Sequence, residues 1–179
     1  MKIILTTILF LFISAHTILS ASSSSPYEKL NKVIENYATY TYAREKQLRD
    51  LKIAARYNKN NPEVLLKIYD DEFSGYYAYN YDSAMVYVKR TMQLAQKTRN
   101  EYYLIKSTLH RALLLASVGF YSDSEECLKS IALKHIPQNL YFSYYYTHYK
   151  LYSFWNNYYR NSEFQEKMNQ KIIFYLRKT

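Results

Sequence analysis

A ten-residue pattern occurs twice in this chain and sets the spacing of everything around it. YNYDSAMVYV begins at Tyr79 and GFYSDSEECL at Gly119. Each runs aromatic, polar, acid or serine, small residue, then an apolar helix. Ala84 and Ser124 hold the same slot, 40 residues apart. An apolar-periodic helix precedes each copy and another follows. That period belongs to stacked helix-turn-helix repeats, each burying its apolar face on the next. Two glycines and three prolines in 179 residues leave little for β-hairpins or Gly-rich phosphate loops, and favour long helices joined by short turns.

The helices can be followed one by one. Pro26 suits a first helical turn. A stripe of Leu30, Val33, Ile34, Tyr37, Leu48, Leu51 and Ala54 then runs to about Tyr57, with a break expected near Tyr40. Asn58–Asn61 followed by Pro62 is a stop and a restart. The first pair covers about 62–77 and 82–97, with Asp82 or Ser83 as the second cap. The next covers 101–118 and 122–131, and Gly119 ends its first helix. A looser third pair places Tyr141, Tyr144, Tyr145, His148 and Tyr152 on one face. Its last helix is capped by Ser162 and striped by Phe164, Met168, Ile172 and Tyr175. The expectation is an all-α, tetratricopeptide-like helical-hairpin solenoid of about three repeats with a long N-terminal helix, over residues 27–179. Tyr81, Asp82, Ser83, Ala84, Tyr87, Ala112, Gly119 and Tyr121 are its repeat-packing residues.

The first residues read as an address. Met1-Lys2 is a minimal positive start, Ile3 to Ile13 an apolar run, and small and polar residues follow. That is the layout of a secretory signal, too short for a comfortable membrane span. Residues 1–21 are therefore expected to be a signal peptide and 22–26 a flexible lead; an uncleaved anchor is the alternative. Export to the periplasm follows, or anchorage in the inner membrane if the segment stays.

Tyrosine is the compositional outlier, with 23 residues against 8 Phe and 1 Trp. Most fall on helical periodicity, where an amphipathic ring fills half-buried inter-helix positions; a groove for peptide or sugar is the competing use. The formal charge of +9 is spread along the chain, with no nucleic-acid patch. Cys127 has no intramolecular partner and reads as a small buried hydrophobe. His110, His135 and His148 lie on separate segments, so a zinc site from His110, Cys127 and His148 lacks any supporting spacing. Asp70-Asp71-Glu72 and Glu125-Glu126 read as solvated faces. No G-x-S-x-G elbow, P-loop or dinucleotide fingerprint occurs. No metal, cofactor or enzymatic activity is expected.

Tyr40, Arg44, Glu45, Leu48, Leu51 and Lys52, then Tyr77, Tyr81, Asp82, Ser83, Ala84, Tyr87, Leu94 and Ala95, then Leu114, Ser117, Gly119, Leu128 and Ile131, carry a family resemblance. The chain resembles a bacterial family of exported tetratricopeptide-like domains of unknown function. In that family the domain is normally the N-terminal sensor part of membrane-spanning, helix-turn-helix regulator-like proteins, and this chain looks like a truncated member. The resemblance implies a non-enzymatic module that binds a peptide or protein. Its concave surface would come from the first helix of each pair, where Tyr69, Tyr76, Tyr103, Arg111, Tyr145 and Tyr149 are the candidate contacts. Two alternatives stand beside this: a membrane-anchored structural or scaffold protein, and an enzyme with an unrecognised site.

Overall fold

The computed structural model describes residues 25–179, so the signal segment 1–21 and positions 22–24 of the lead lie outside the described residues. The chain divides into two compact units, Met1–Ala43 and Arg44–Thr179. In the first, α1 (Pro26–Glu35) opens with a reciprocal capping box. The Ser25 side chain caps the first turn and its backbone N donates to Glu28 Oε2 at 3.0 Å. Leu30, Val33 and Ile34 keep the expected stripe, but they are exposed. The break comes at Asn36 rather than near Tyr40, because the Asn36 amide turns back onto the Lys32 carbonyl at 2.7 Å. From there α2 (Tyr37–Tyr57) begins.

The second unit contains the rest of α2 and three helical hairpins. These are α3 (Pro62–Tyr76) with α4 (Tyr81–Thr98), α5 (Glu101–Ser117) with α6 (Tyr121–Lys129), and α7 (Tyr141–Tyr158) with α8 (Gln165–Leu176). Two 3₁₀ turns, Leu133–His135 and Gln138–Leu140, bridge α6 to α7. Each hairpin packs internally, α4 packs on α5, and α5 packs on α7. The described residues contain no strand, and no described helix is long and apolar enough to cross a membrane. The fold is the all-α helical-repeat solenoid the 40-residue period implies.

Asparagine starts three of these helices. Asn61, Asn80 and Asn100 each accept a bond from the backbone N–H three residues on, at 3.3, 2.9 and 3.1 Å. Asn80 therefore displaces Asp82 and Ser83 as the cap of α4; its extended backbone points the side chain at the Ser83 N–H. Ser162 does not cap α8 either. Its hydroxyl accepts from Phe164 N in the preceding turn, and α8 starts at Gln165 without a side-chain cap. Gly119 takes a left-handed φ of 92°, which ends α5 at little steric cost.

Two apolar clusters hold the second unit, and α5 feeds both. Leu48, Phe73, Tyr76, Ala84, Tyr87, Val88 and Leu114 form one; Leu109, Ala112, Ala116, Leu128, Leu151, Tyr152 and Met168 belong to the other. Leu48, Leu66, Leu109, Leu114, Leu128 and Leu151 are almost wholly buried, each contributing about 1.5–3 kcal/mol. The equivalent slots Ala84 and Ser124 are both completely buried. Ser124 Oγ donates to the Ala112 carbonyl of the paired helix at 2.8 Å, so the α5–α6 gap is one side chain wide. At Gly75 an added Cβ would lie 2.6 Å from Leu48, which sets α3 directly against α2.

Ala84→Leu should therefore overpack the α3–α4 hairpin and cost about 1–3 kcal/mol in urea unfolding. Ser124→Ala, which loses one hydrogen bond, should cost about 1 kcal/mol. A neutral Ala84→Leu would show that the helices are not in close contact at that slot.

Candidate functional site

Among the described residues two carboxylates, Asp70 and Glu72, are buried and a third, Glu125, is half-buried, all on stretches whose sequence reads as solvated. Asp70 and Glu72 are buried, not surface-facing, because α3 turns them toward different neighbours. Asp70 faces α5, where Lys106 Nζ pairs with its Oδ2 and His110 Nδ1 stands 3.6 Å from its Oδ1. The His110 ring stacks on Phe73 with centroids 3.9 Å apart. Burial drives the His110 pKa down to about 3, and the Lys106 charge adds to that, so the imidazole is neutral. Burial also raises the Asp70 carboxyl, against the pull of Lys106.

Glu72 faces α4 and α2 instead. It is 1% exposed, with Oε2 buried and without a hydrogen-bond partner. Burial raises its pKa, against the opposing pull of the Tyr87 hydroxyl and the charges of Lys52 and Arg90. Arg90 stands over the Tyr69 and Tyr87 rings. These groups tie three helices together.

The third group joins α6, α7 and α8. Glu125 Oε1 accepts from the Tyr152 hydroxyl at 2.8 Å and from Lys171 at 3.3 Å, and Oε2 accepts from Lys129 at 2.6 Å. Burial would raise Glu125, but these three neighbours outweigh it and hold the carboxyl at about 2. Beside it, His148 stacks on Tyr175 at 4.3 Å with both ring nitrogens buried and without hydrogen-bond partners. Burial lowers its pKa to about 4.

The six candidate contacts separate clearly. Tyr76 is a core residue stacked on Tyr87 at 5.7 Å, which removes it from any surface. Tyr69 lies in the α3–α4 groove with Arg90 and Lys97. Arg111 is exposed toward α6, close enough for its charge to act on Cys127. Tyr145 leans on Tyr175 of α8. Tyr103 is half-buried beside Asp70 and Lys106, and Tyr149 is half-buried beside Tyr146.

Sequence reasoning passed over Lys106 and Tyr146, and took His110 only as part of an unsupported zinc set and Tyr77 only as a position of the family resemblance. Tyr77, the residue just past α3, and Tyr146 on α7 are near enough for their hydroxyls to interact electrostatically. The hairpins' first helices thus carry Tyr103, on α5, beside the Asp70–Lys106 pair, and Tyr146 beside Tyr149 on α7. Among the repeat-packing residues, Ala84, Tyr87 and Ala112 are buried, Tyr81 and Tyr121 join the apolar clusters, and Asp82 is exposed. Among the described residues, no three His, Cys, Asp or Glu side chains gather closely enough to hold a metal ion. Burial raises the Cys127 thiol, the direction that makes it inert.

The two histidines give the domain a defined acid response. Unfolded, both titrate near 6.5; folded, only near 3 and 4. Between pH 6.5 and about 4 the unfolded chain takes up protons that the folded one does not. Stability is therefore full above pH 6.5 and falls through that window, by up to about 1.4 kcal/mol per pH unit for each histidine. The raised carboxyls of Asp70 and Glu72 act in the opposite sense. His148→Phe keeps the stack and removes two unpartnered nitrogens, so it should raise Tm at neutral pH and flatten the acid slope. An unchanged slope would show that His148 protonates in place.

The family described as the SusR N-terminal TPR domain matches residues 34–179. Comparison with curated proteins and with solved structures gave no match. Helical-repeat domains of this type are generally non-catalytic scaffolds that mediate protein interactions. With three helical hairpins and a match over most of its length, this chain belongs to the SusR N-terminal TPR domain family.

Proposed function

We propose that this chain is an exported, non-enzymatic interaction module that binds a peptide or protein segment along the first helices of its hairpins. The observation that carries the reading is the placement of Tyr103, Tyr146 and Tyr149. They are partly exposed rings on α5 and α7, beside helices whose spacing the Asp70–Lys106 pair helps to fix. Rigid aromatic rings lose little entropy on binding and lead the residues that dominate interface energies. The family's description as an N-terminal TPR domain supports a sensor role at the front of a larger regulator. The apolar run Ile3–Ile13 supports export to the periplasm, or anchorage in the inner membrane if it remains attached. No cofactor or nucleic acid enters the function.

Selection from a displayed random-peptide library on the purified chain, followed by titration of the winning peptide, tests the binding surface. Tyr103→Ala, Tyr146→Ala and Tyr149→Ala should each weaken it by about 1–3 kcal/mol. Tyr57→Ala, on a ring that is 86% exposed on α2, should leave it unchanged. Affinity unaffected by all three would end the proposal for this face. Determining the N-terminus of the chain recovered from cells tests export separately: a start near Ala21–Ser23 supports it, and an intact Met1 in membranes supports the anchored scaffold instead.

A further inference from the structure

We propose that the groove between α6 and α8 binds an acidic peptide segment, its carboxylates held by Lys129, Lys167 and Lys171 and an apolar side chain seated on Phe174. The groove is a cavity of about 680 Å³ whose floor is Tyr152 and Tyr175 and whose rims carry the three lysines. Glu125 is the one carboxylate on its walls, and both of its oxygens are already engaged by Tyr152, Lys171 and Lys129. Lys167 has no acidic partner among the described residues. One carboxylate against three ammonium groups leaves a local excess of positive charge beside half-buried aromatic rings, where water screens it less than on an open surface.

Two further observations favour an extended peptide over a single small anion. A second cavity, of about 420 Å³, continues the groove along α8, and the two share Gln170 and Phe174. Its walls add Arg177 and Lys178, so cationic groups stand on both sides of Phe174. Phe174 is 55% exposed and meets Tyr175 edge-on at 5.0 Å, which leaves its ring open to a partner. A ligand that follows both cavities therefore alternates: acid, apolar residue, acid. The net charge of +9 draws such a segment in from a distance. Apart from Tyr152 on its floor, this surface is carried by the hairpins' second helices and includes none of Tyr103, Tyr146 and Tyr149, so it can fail or hold independently of the reading above.

Fluorescence anisotropy with a fluorescein-labelled Asp-Glu-Phe-Glu-Asp peptide, and an Asn-Gln-Phe-Gln-Asn counterpart, tests it on the purified chain. The acidic peptide should bind, bind less as salt rises, and bind at least about tenfold less to Lys167→Glu. Lys89→Glu, an exposed site on α4 with the same change in net charge, should bind within about twofold of the parent, as should Tyr103→Ala. Equal losses in the two charge reversals would reduce the effect to general basicity and overturn the proposal. So would equal binding of the amide peptide, or no binding at all. Binding of anionic phospholipid vesicles that Lys167→Glu abolishes, with the acidic peptide still unbound, would assign the groove to a lipid surface and overturn it too.

Discussion

The close approach of paired helices at two completely buried small residues underlies the rest of this structure. Ala84 brings α4 onto α3, and Ser124 brings α6 onto α5 with its hydroxyl on the Ala112 carbonyl. A larger residue at either slot would push a hairpin open and pull its leucines out of contact. Because α5 contributes to both apolar clusters, a displacement in one hairpin reaches the next. Stacked repeats gain stability from nearest-neighbour interfaces, so the spacing at these slots is felt along the whole second unit.

Within that frame the buried charges do something leucine cannot. A hydrogen-bonded ion pair repays its desolvation only in good geometry, and removing one partner leaves a costly charge in the interior. Asp70–Lys106 fixes α3 against α5, Tyr87–Glu72 fixes α3 against α4, and Glu125 with Tyr152 and Lys171 joins α6, α7 and α8. Asp70 and Glu125 are matched by lysines, whereas Glu72 keeps one buried oxygen without a partner, and burial raises its pKa. His110 and His148 meet the same constraint by remaining neutral and stacking on aromatic rings. The result is a set of tyrosines held on fixed helices rather than on loops, which suits recognition of an extended segment.

Local signals were legible in the chain, and distant ones were not. The repeat slots, the Asn61–Pro62 restart and the left-handed Gly119 each depend on a few neighbouring residues, and each appears where the pattern places it. The cap of α4 was misassigned because Asn80, Asp82 and Ser83 are all competent caps; only the backbone angle at Asn80 selects one. The burial of Asp70 and Glu72 was invisible for a different reason. The partner of Asp70 is 36 residues away on α5, and the Lys171 that meets Glu125 is 46 residues away. Tyr76 and Tyr103 look equivalent by helix membership, yet one is core and the other surface, because the face a helix buries depends on where its neighbour crosses it.

Native-state amide hydrogen exchange of the second unit is the most direct measurement of this account. If small-residue packing makes the stacked hairpins one cooperative scaffold, the slowest amides of α3, α5 and α7 should open with the same free energy. Ala84→Leu should then lower all three together. Slow amides of α3 that open well below those of α5 and α7, with Ala84→Leu affecting α3 and α4 alone, would contradict it.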